Sequence, residues 1–119
     1  MHKKKSRKGK SLRSRLIACG QPACFYCGLP FVQFILPRYT PGAAISRRIA
    51  YVTLEHLMAR SLGGETTEEN CVLAHQWCNN AADNKALSDK LLLKETLSNN
   101  NGLPPWWPVL QTIIQKQSV

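Results

Sequence analysis

The stretch from Thr53 to Asn79 places a Glu55-His56 pair, Asn70 and Asn79 among soft metal ligands, His75 and Cys78. A second cysteine pair, Cys24-Phe25-Tyr26-Cys27, lies upstream. An imidazole beside hard oxygen donors is what phosphodiester hydrolysis asks for: a base to activate water and a cation to neutralise the leaving oxygen. His56 suits the first task, because a reference pKa of about 6.5 keeps its ring neutral near pH 7. Glu55 and Asn79 offer the oxygens that Mg²⁺ or Mn²⁺ prefers, with waters and a substrate phosphate completing the shell. Asn70 can bridge two strands and fix the loop that carries His56.

The softer ligands form two chelating pairs, Cys24/Cys27 and His75/Cys78, each with two intervening residues. That spacing lets one tight turn aim both side chains of a pair at a single ion. Three sulfurs and one imidazole suit Zn²⁺, and four protein ligands leave no open position, so the expected zinc is structural. Cys71 competes on paper as a fourth ligand, but a strand position pointing inward reads better as a buried apolar residue. A redox role for Cys24 and Cys27 lacks the surrounding thioredoxin-like pattern.

These side chains need elements to hold them. Ile49 to Leu54 reads as a short strand ending at Glu55-His56, and Cys71 to Ala74 as its partner. Thr66 to Glu69 has capping-box spacing and predicts one helical turn before Asn70. From about Trp77 the chain turns helical, with Ala81, Ala82, Ala86, Leu87, Leu91 and Leu92 at helical spacing, until Asn99 to Gly102 ends it. Residues 24–37 read as a cysteine knuckle leading into an apolar strand. A proline-flanked Trp106-Trp107 pair, expected to pack on the core or a partner, precedes a short helix over Val109 to Ile114. The fold class is α+β: a hairpin plus helix stapled by zinc. The division is a basic disordered arm over 1–18, a domain over 19–98 and a tail over 99–119.

The 119 residues carry a net charge of +9, distributed unevenly. Residues 1–50 hold eleven Lys or Arg and no Asp or Glu, whereas residues 51–119 hold five basic and seven acidic residues. A polyanion is the natural partner of the first half. The arm residues Lys3, Lys4, Lys5, Arg7, Lys8 and Lys10, with Arg47, Arg48, Arg60 and Lys85, are candidate phosphate contacts. DNA is the expected partner, RNA satisfying the same charge. No stretch is long and apolar enough to span a bilayer, and five cysteines without a secretion signal argue against a disulfide framework. A cytoplasmic location is expected, with no membrane partner.

The run Glu55-His56-Leu57-Met58-Ala59-Arg60-Ser61-Leu62-Gly63-Gly64, followed by Asn70 to Asn79, resembles the HNH endonuclease motif in its zinc-bound form. The resemblance covers about residues 24–87 and implies the ββα-metal (His-Me finger) fold and a metal-dependent endonuclease acting on DNA. It implies His56 as general base and Asn70 as the orienting residue. The catalytic ion falls to Glu55 and Asn79, and structural zinc to Cys24, Cys27, His75 and Cys78. Glu55 stands where the family usually has Asp, Ala59 where proline is common, His75 where cysteine is usual, and Ala82 where lysine often follows. The alternative is a zinc-stabilised module that binds nucleic acid without cutting it.

Overall fold

The computed structural model describes residues 2–19, 23–31, 34, 49–99 and 104–117, without the side chains of residues 2–8 and 117. The described elements are α1 (His2–Ala18), β1 (Val52–His56), β2 (Cys71–His75), α2 (Gln76–Ala82), α3 (Leu87–Ser98) and α4 (Trp107–Gln117), with a short 3₁₀ turn at Arg60–Leu62. Most of the apolar strand expected after the cysteine knuckle, and Arg47 and Arg48, lie outside the described residues; of that segment, Pro30 makes an isolated bridge with Ala23 and Phe34 lies in a 3₁₀ turn.

β1 and β2 form an antiparallel ribbon in the register Val52↔His75, Leu54↔Leu73 and His56↔Cys71. β-Branched Val52 and Thr53 favour the extended chain, and the Thr53 hydroxyl adds a bond to the Ala74 carbonyl at 2.8 Å. The connecting loop is tight. Gly63 has φ 95°, which a side chain rarely tolerates, and a Cβ on Gly64 would fall 1.7 Å from the Met58 carbonyl oxygen. β2 runs directly into α2, so a ribbon residue and a helix residue can share one site.

The core is small: Tyr26, Phe31, Val52, Leu73, Ala74, Ala82 and Leu97 gather around Cys24, Cys27 and Cys78. A second cluster of Ala50, Trp106 and Leu110 seats α4. Such a core gains from a metal staple.

Four expectations change. The arm expected to be disordered is helical from His2 to Ala18. Its Leu12 is buried, and Leu16 and Ile17 pack against the core, so tertiary contact supplies what its composition lacks. Arg15 also pairs with Glu68 at 2.9 Å. Thr66 to Glu69 is a turn closed by Asn70 N–H on the Thr67 carbonyl, not a helix. The helix expected from Trp77 is two, broken where Asp83 takes φ 44°.

The face of α3 is the fourth change. Leu87, Leu91 and Leu92 are exposed, whereas Lys90 and Leu97 are buried. The helix docks through polar donors: Lys90 Nζ to the His56 carbonyl (2.6 Å), Lys94 Nζ to that of Phe25 (2.7 Å) and Ser98 Oγ to that of Tyr26 (2.7 Å). Positions 90, 94, 97 and 98 share one side of a 3.6-residue helix; backbone carbonyls meet Lys90, Lys94 and Ser98 there, while Leu97 joins the apolar core.

Candidate active site and metal centre

Cys24, Cys27, His75 and Cys78 converge, their ligand atoms all within 4.8 Å of one another and all four residues buried. The knuckle is closed by Gly28 N–H on the Cys24 carbonyl and joined to β2 by Phe25 N–H on the Leu73 carbonyl, both at 2.9 Å. His75 Nε2 lies 2.9 Å from the Pro30 carbonyl, a partner that can only accept; the proton is therefore on Nε2. Nδ1, the unprotonated nitrogen whenever the ring is neutral, lies 3.3 Å from Cys27 Sγ and 4.0 Å from Cys78 Sγ. The backbone N–H groups of Tyr26 and His75 each donate to Cys24 Sγ at 3.4 Å.

Sulfur that accepts two amide protons, and an imidazole fixed in one tautomer by a carbonyl, are the outer contacts of a metal-ligand set. The residues fit a tetrahedral soft ion. Hydrogen bonding with Cys27 and Cys78 holds the Cys24 thiol far below the ordinary range. The same sharing pushes Cys27 up to about 12 and Cys78 up as well. An incoming ion therefore displaces protons from sulfur. Phe31 and Trp106 wall the imidazole, with ring centroids 4.8 and 4.9 Å away. Cys71 is buried outside this cluster, its Sγ 3.8 Å from the Glu65 carbonyl oxygen.

The second centre is an open cleft of about 220 Å³ lined by Glu55, His56, Arg60, Asn79, Asp83 and Lys90, among others. Glu55 and His56 are adjacent in sequence but engage different surroundings. His56 is half-buried, and its Nε2 lies 2.9 Å from Thr66 Oγ1. Burial lowers its pKa from the ordinary value, and the positive charges of Arg60 and Lys90 act in the same direction. Glu55 is only 3% exposed. Its Oε2 accepts the Tyr26 hydroxyl at 2.5 Å and lies 3.5 Å from Lys90 Nζ. Burial raises the Glu55 carboxyl, with Tyr26 and Lys90 pulling it back.

Asn79 donates through Nδ2 to Thr53 Oγ1 and to the Leu54 carbonyl, both at 3.2 Å. Its Oδ1 is not used by these bonds. Asn70 staples the loop after His56. Its Oδ1 accepts from Met58 N–H at 2.8 Å, and Nδ2 donates to the Met58 and Glu65 carbonyls at 3.1 and 2.8 Å.

Residues 24–85 match the family model described as HNH endonuclease, just over half of the chain. The chain belongs to the HNH endonuclease family. Among curated proteins and solved structures, none matches it. The ribbon followed by α2, with the cysteine–histidine cluster at its base, is the family's ββα-metal arrangement.

Of the other positions expected in the HNH site, Arg60 lines the cleft. Lys85 is exposed and bonds the Ala81 carbonyl at 2.8 Å, and Lys10 is exposed on α1. Lys3, Lys4, Lys5, Arg7 and Lys8 lie on α1 with side chains outside the described residues. Tyr26, Thr66 and Lys90 were not foreseen. Tyr26 sits between two cysteines whose spacing is the stronger signal, Thr66 occupies a position with helix-capping spacing, and Lys90 is surrounded by leucines that point to a different buried face. Among the described residues no helix is long and apolar enough to cross a membrane.

Proposed function

We propose that this HNH protein is a metal-dependent endonuclease that hydrolyses DNA phosphodiesters, with His56 as general base. The observation that carries this reading is the placement of His56: a half-buried imidazole on a cleft wall, held through one ring nitrogen while the cleft also presents Asn79 and Arg60. If Nε2–H donates to Thr66 Oγ1, the Nδ1 lone pair stays free to take a proton from water. Depression of the His56 pKa keeps that lone pair available near pH 7.

Asn70 acts through the loop, tying Met58 and Glu65 together so that the chain leaving His56 has one path. Asn79 Oδ1 and the second oxygen of Glu55 are the hard donors that suit Mg²⁺ or Mn²⁺. The ion, when bound there, supplies positive charge for the leaving 3′-oxygen. Arg60, exposed at the rim, is placed to meet phosphate, and the basic first half of the chain supplies sequence-independent attraction to DNA. The Cys₃His cluster is read as structural zinc, closed by four ligands.

One observation favours the second reading, a zinc module that binds nucleic acid without cutting. Glu55 is buried and already engaged by Tyr26 and Lys90. Incubating the zinc-loaded chain with supercoiled plasmid in Mg²⁺, Mn²⁺ or EDTA separates the two, with His56→Ala as control. Nicking or linearisation that needs the ion and His56 supports the nuclease. Equal products from parent and His56→Ala would leave only binding.

A further inference from the structure

Lys90 is the most unusual side chain in the cleft: a lysine with no exposed surface, on a helix whose Leu87, Leu91 and Leu92 face outward. Its ammonium donates to the His56 carbonyl at 2.6 Å and lies 3.5 Å from Glu55 Oε2, so it touches both members of the dyad. Burying an ammonium requires compensation by partners of opposite charge or strong acceptors, and Lys90 has both. It also lines the cleft beside Asn79.

A divalent ion recruited to Glu55 therefore meets a carboxylate that already has a positive partner. We propose that Lys90 is the resident cation of this cleft and sets how tightly a divalent ion binds there, by holding Glu55 against it. This deepens the nuclease reading and rests on it for the ion's position at Glu55 and Asn79. The ammonium and an ion held by Glu55 would compete for one carboxylate, and their like charges would oppose each other in a poorly screened site. Lys90 thus acts through Glu55, as a positioning residue.

Lys94 supplies the control. It lies one turn further along α3 and docks on the same domain, but through the Phe25 carbonyl, with its ammonium 4.4 Å from the Phe25 ring centroid. A general loosening of α3 should follow from changing either lysine, whereas competition for the ion should follow from Lys90 alone.

The test is Mn²⁺ binding to the zinc-loaded full chain, read from the loss of the free-ion electron paramagnetic resonance signal. Lys90→Gln removes the charge and keeps a donor for the His56 carbonyl. It should bind Mn²⁺ at least about tenfold more tightly than the parent. Lys94→Gln should match the parent, and adding Glu55→Gln to Lys90→Gln should abolish the gain. Lys90→Gln that retains zinc and helix content but binds Mn²⁺ no more tightly overturns the proposal, as does absence of Mn²⁺ binding in parent and variants alike.

Should Lys90→Gln lose its zinc, the parent still decides. Mg²⁺ titration with ¹³C-labelled lysine should move the Lys90 Cε resonance and leave Lys94 in place. A Lys90 signal unmoved at saturating Mg²⁺ overturns the idea. A chain that binds Mn²⁺ as described yet cuts no DNA would end the nuclease reading while leaving this one intact.

Discussion

Cys78 and Asn79 are consecutive on α2 and serve different centres. Cys78 closes the sulfur–imidazole cluster, and Asn79 donates to Thr53 and Leu54 at the wall of the cleft. Successive helix residues lie about 100° apart around the axis, enough to send one side chain into the metal centre and the next toward the ribbon. The sulfur–imidazole cluster and the wall of the cleft therefore share one turn of helix, and disturbing the first should move the second.

Removing the metal should collapse the domain. The four ligands come from the knuckle, the end of β2 and the start of α2, segments that share one small core built around the cysteines. Ion affinity is then largely folding free energy. Chelation should abolish the cooperative thermal transition seen by circular dichroism, and zinc should restore it. A transition unchanged after verified zinc loss would contradict the four-ligand assignment.

Loss of the base should remove chemistry and leave the fold. His56→Ala is expected to lower the cleavage rate by about 10²–10⁴-fold. Zinc content should stay at the parent's value, since His56 is outside the Cys₃His cluster. Single-turnover cleavage with a zinc assay on the same sample checks both statements.

Thr66 should matter through His56. Thr66→Val keeps the shape and deletes the oxygen 2.9 Å from Nε2. The rate should fall roughly tenfold to hundredfold with substrate binding little changed, and Thr66→Ser should recover most of it. A drop confined to binding would remove the positioning role.

The pH profile has a definite sign. The neutral ring is the active form of a base, and burial lowers the proton affinity of His56 in the folded chain. The acid limb of single-turnover cleavage should therefore have its midpoint below 6.5, the ordinary imidazole value. Activity should persist as pH falls from 7 and be lost only under more acidic conditions. A midpoint above 6.5 would contradict the assignment of that limb to His56 in this environment.

Tyr26 links the two centres, its backbone N–H on Cys24 Sγ and its hydroxyl on Glu55. Tyr26→Phe keeps the ring in the core and leaves a buried carboxylate one donor short. Urea unfolding of the zinc-loaded chain should show a loss of about 1–3 kcal/mol. Unaltered stability would mean that Lys90 alone satisfies Glu55.

Much of this was legible in the sequence because the constraint is local. Two-residue spacings announce a tetrahedral ion, and Gly63-Gly64 announces a loop, though only the structure shows Gly64 passing the Met58 carbonyl with no room for a side chain. The ribbon is legible as strands over Ile49 to Leu54 and Cys71 to Ala74, but the first begins only at Val52, with Ile49 and Ala50 helical. What escaped depends on tertiary context. Nothing local to Asp89-Lys90-Leu91 reveals that the lysine turns inward, because that follows from the His56 carbonyl lying in its path. The helical state of residues 2–18 depends likewise on a surface for Leu12, Leu16 and Ile17 that only the assembled ribbon and knuckle supply.

The outward-facing leucines of α3 bear on how the molecule breathes. A helix already wet along its apolar edge gives up little hydrocarbon shelter when it lifts away; chiefly Leu93 and Leu97 would be newly bathed. Detachment of that one segment should then respond weakly to urea compared with whole-chain melting, because such sensitivity tracks the area uncovered. Amide protons of α3 should exchange through this shallow route while those of β1 and β2 wait for complete unfolding, and each excursion would carry Lys90 out of the cleft.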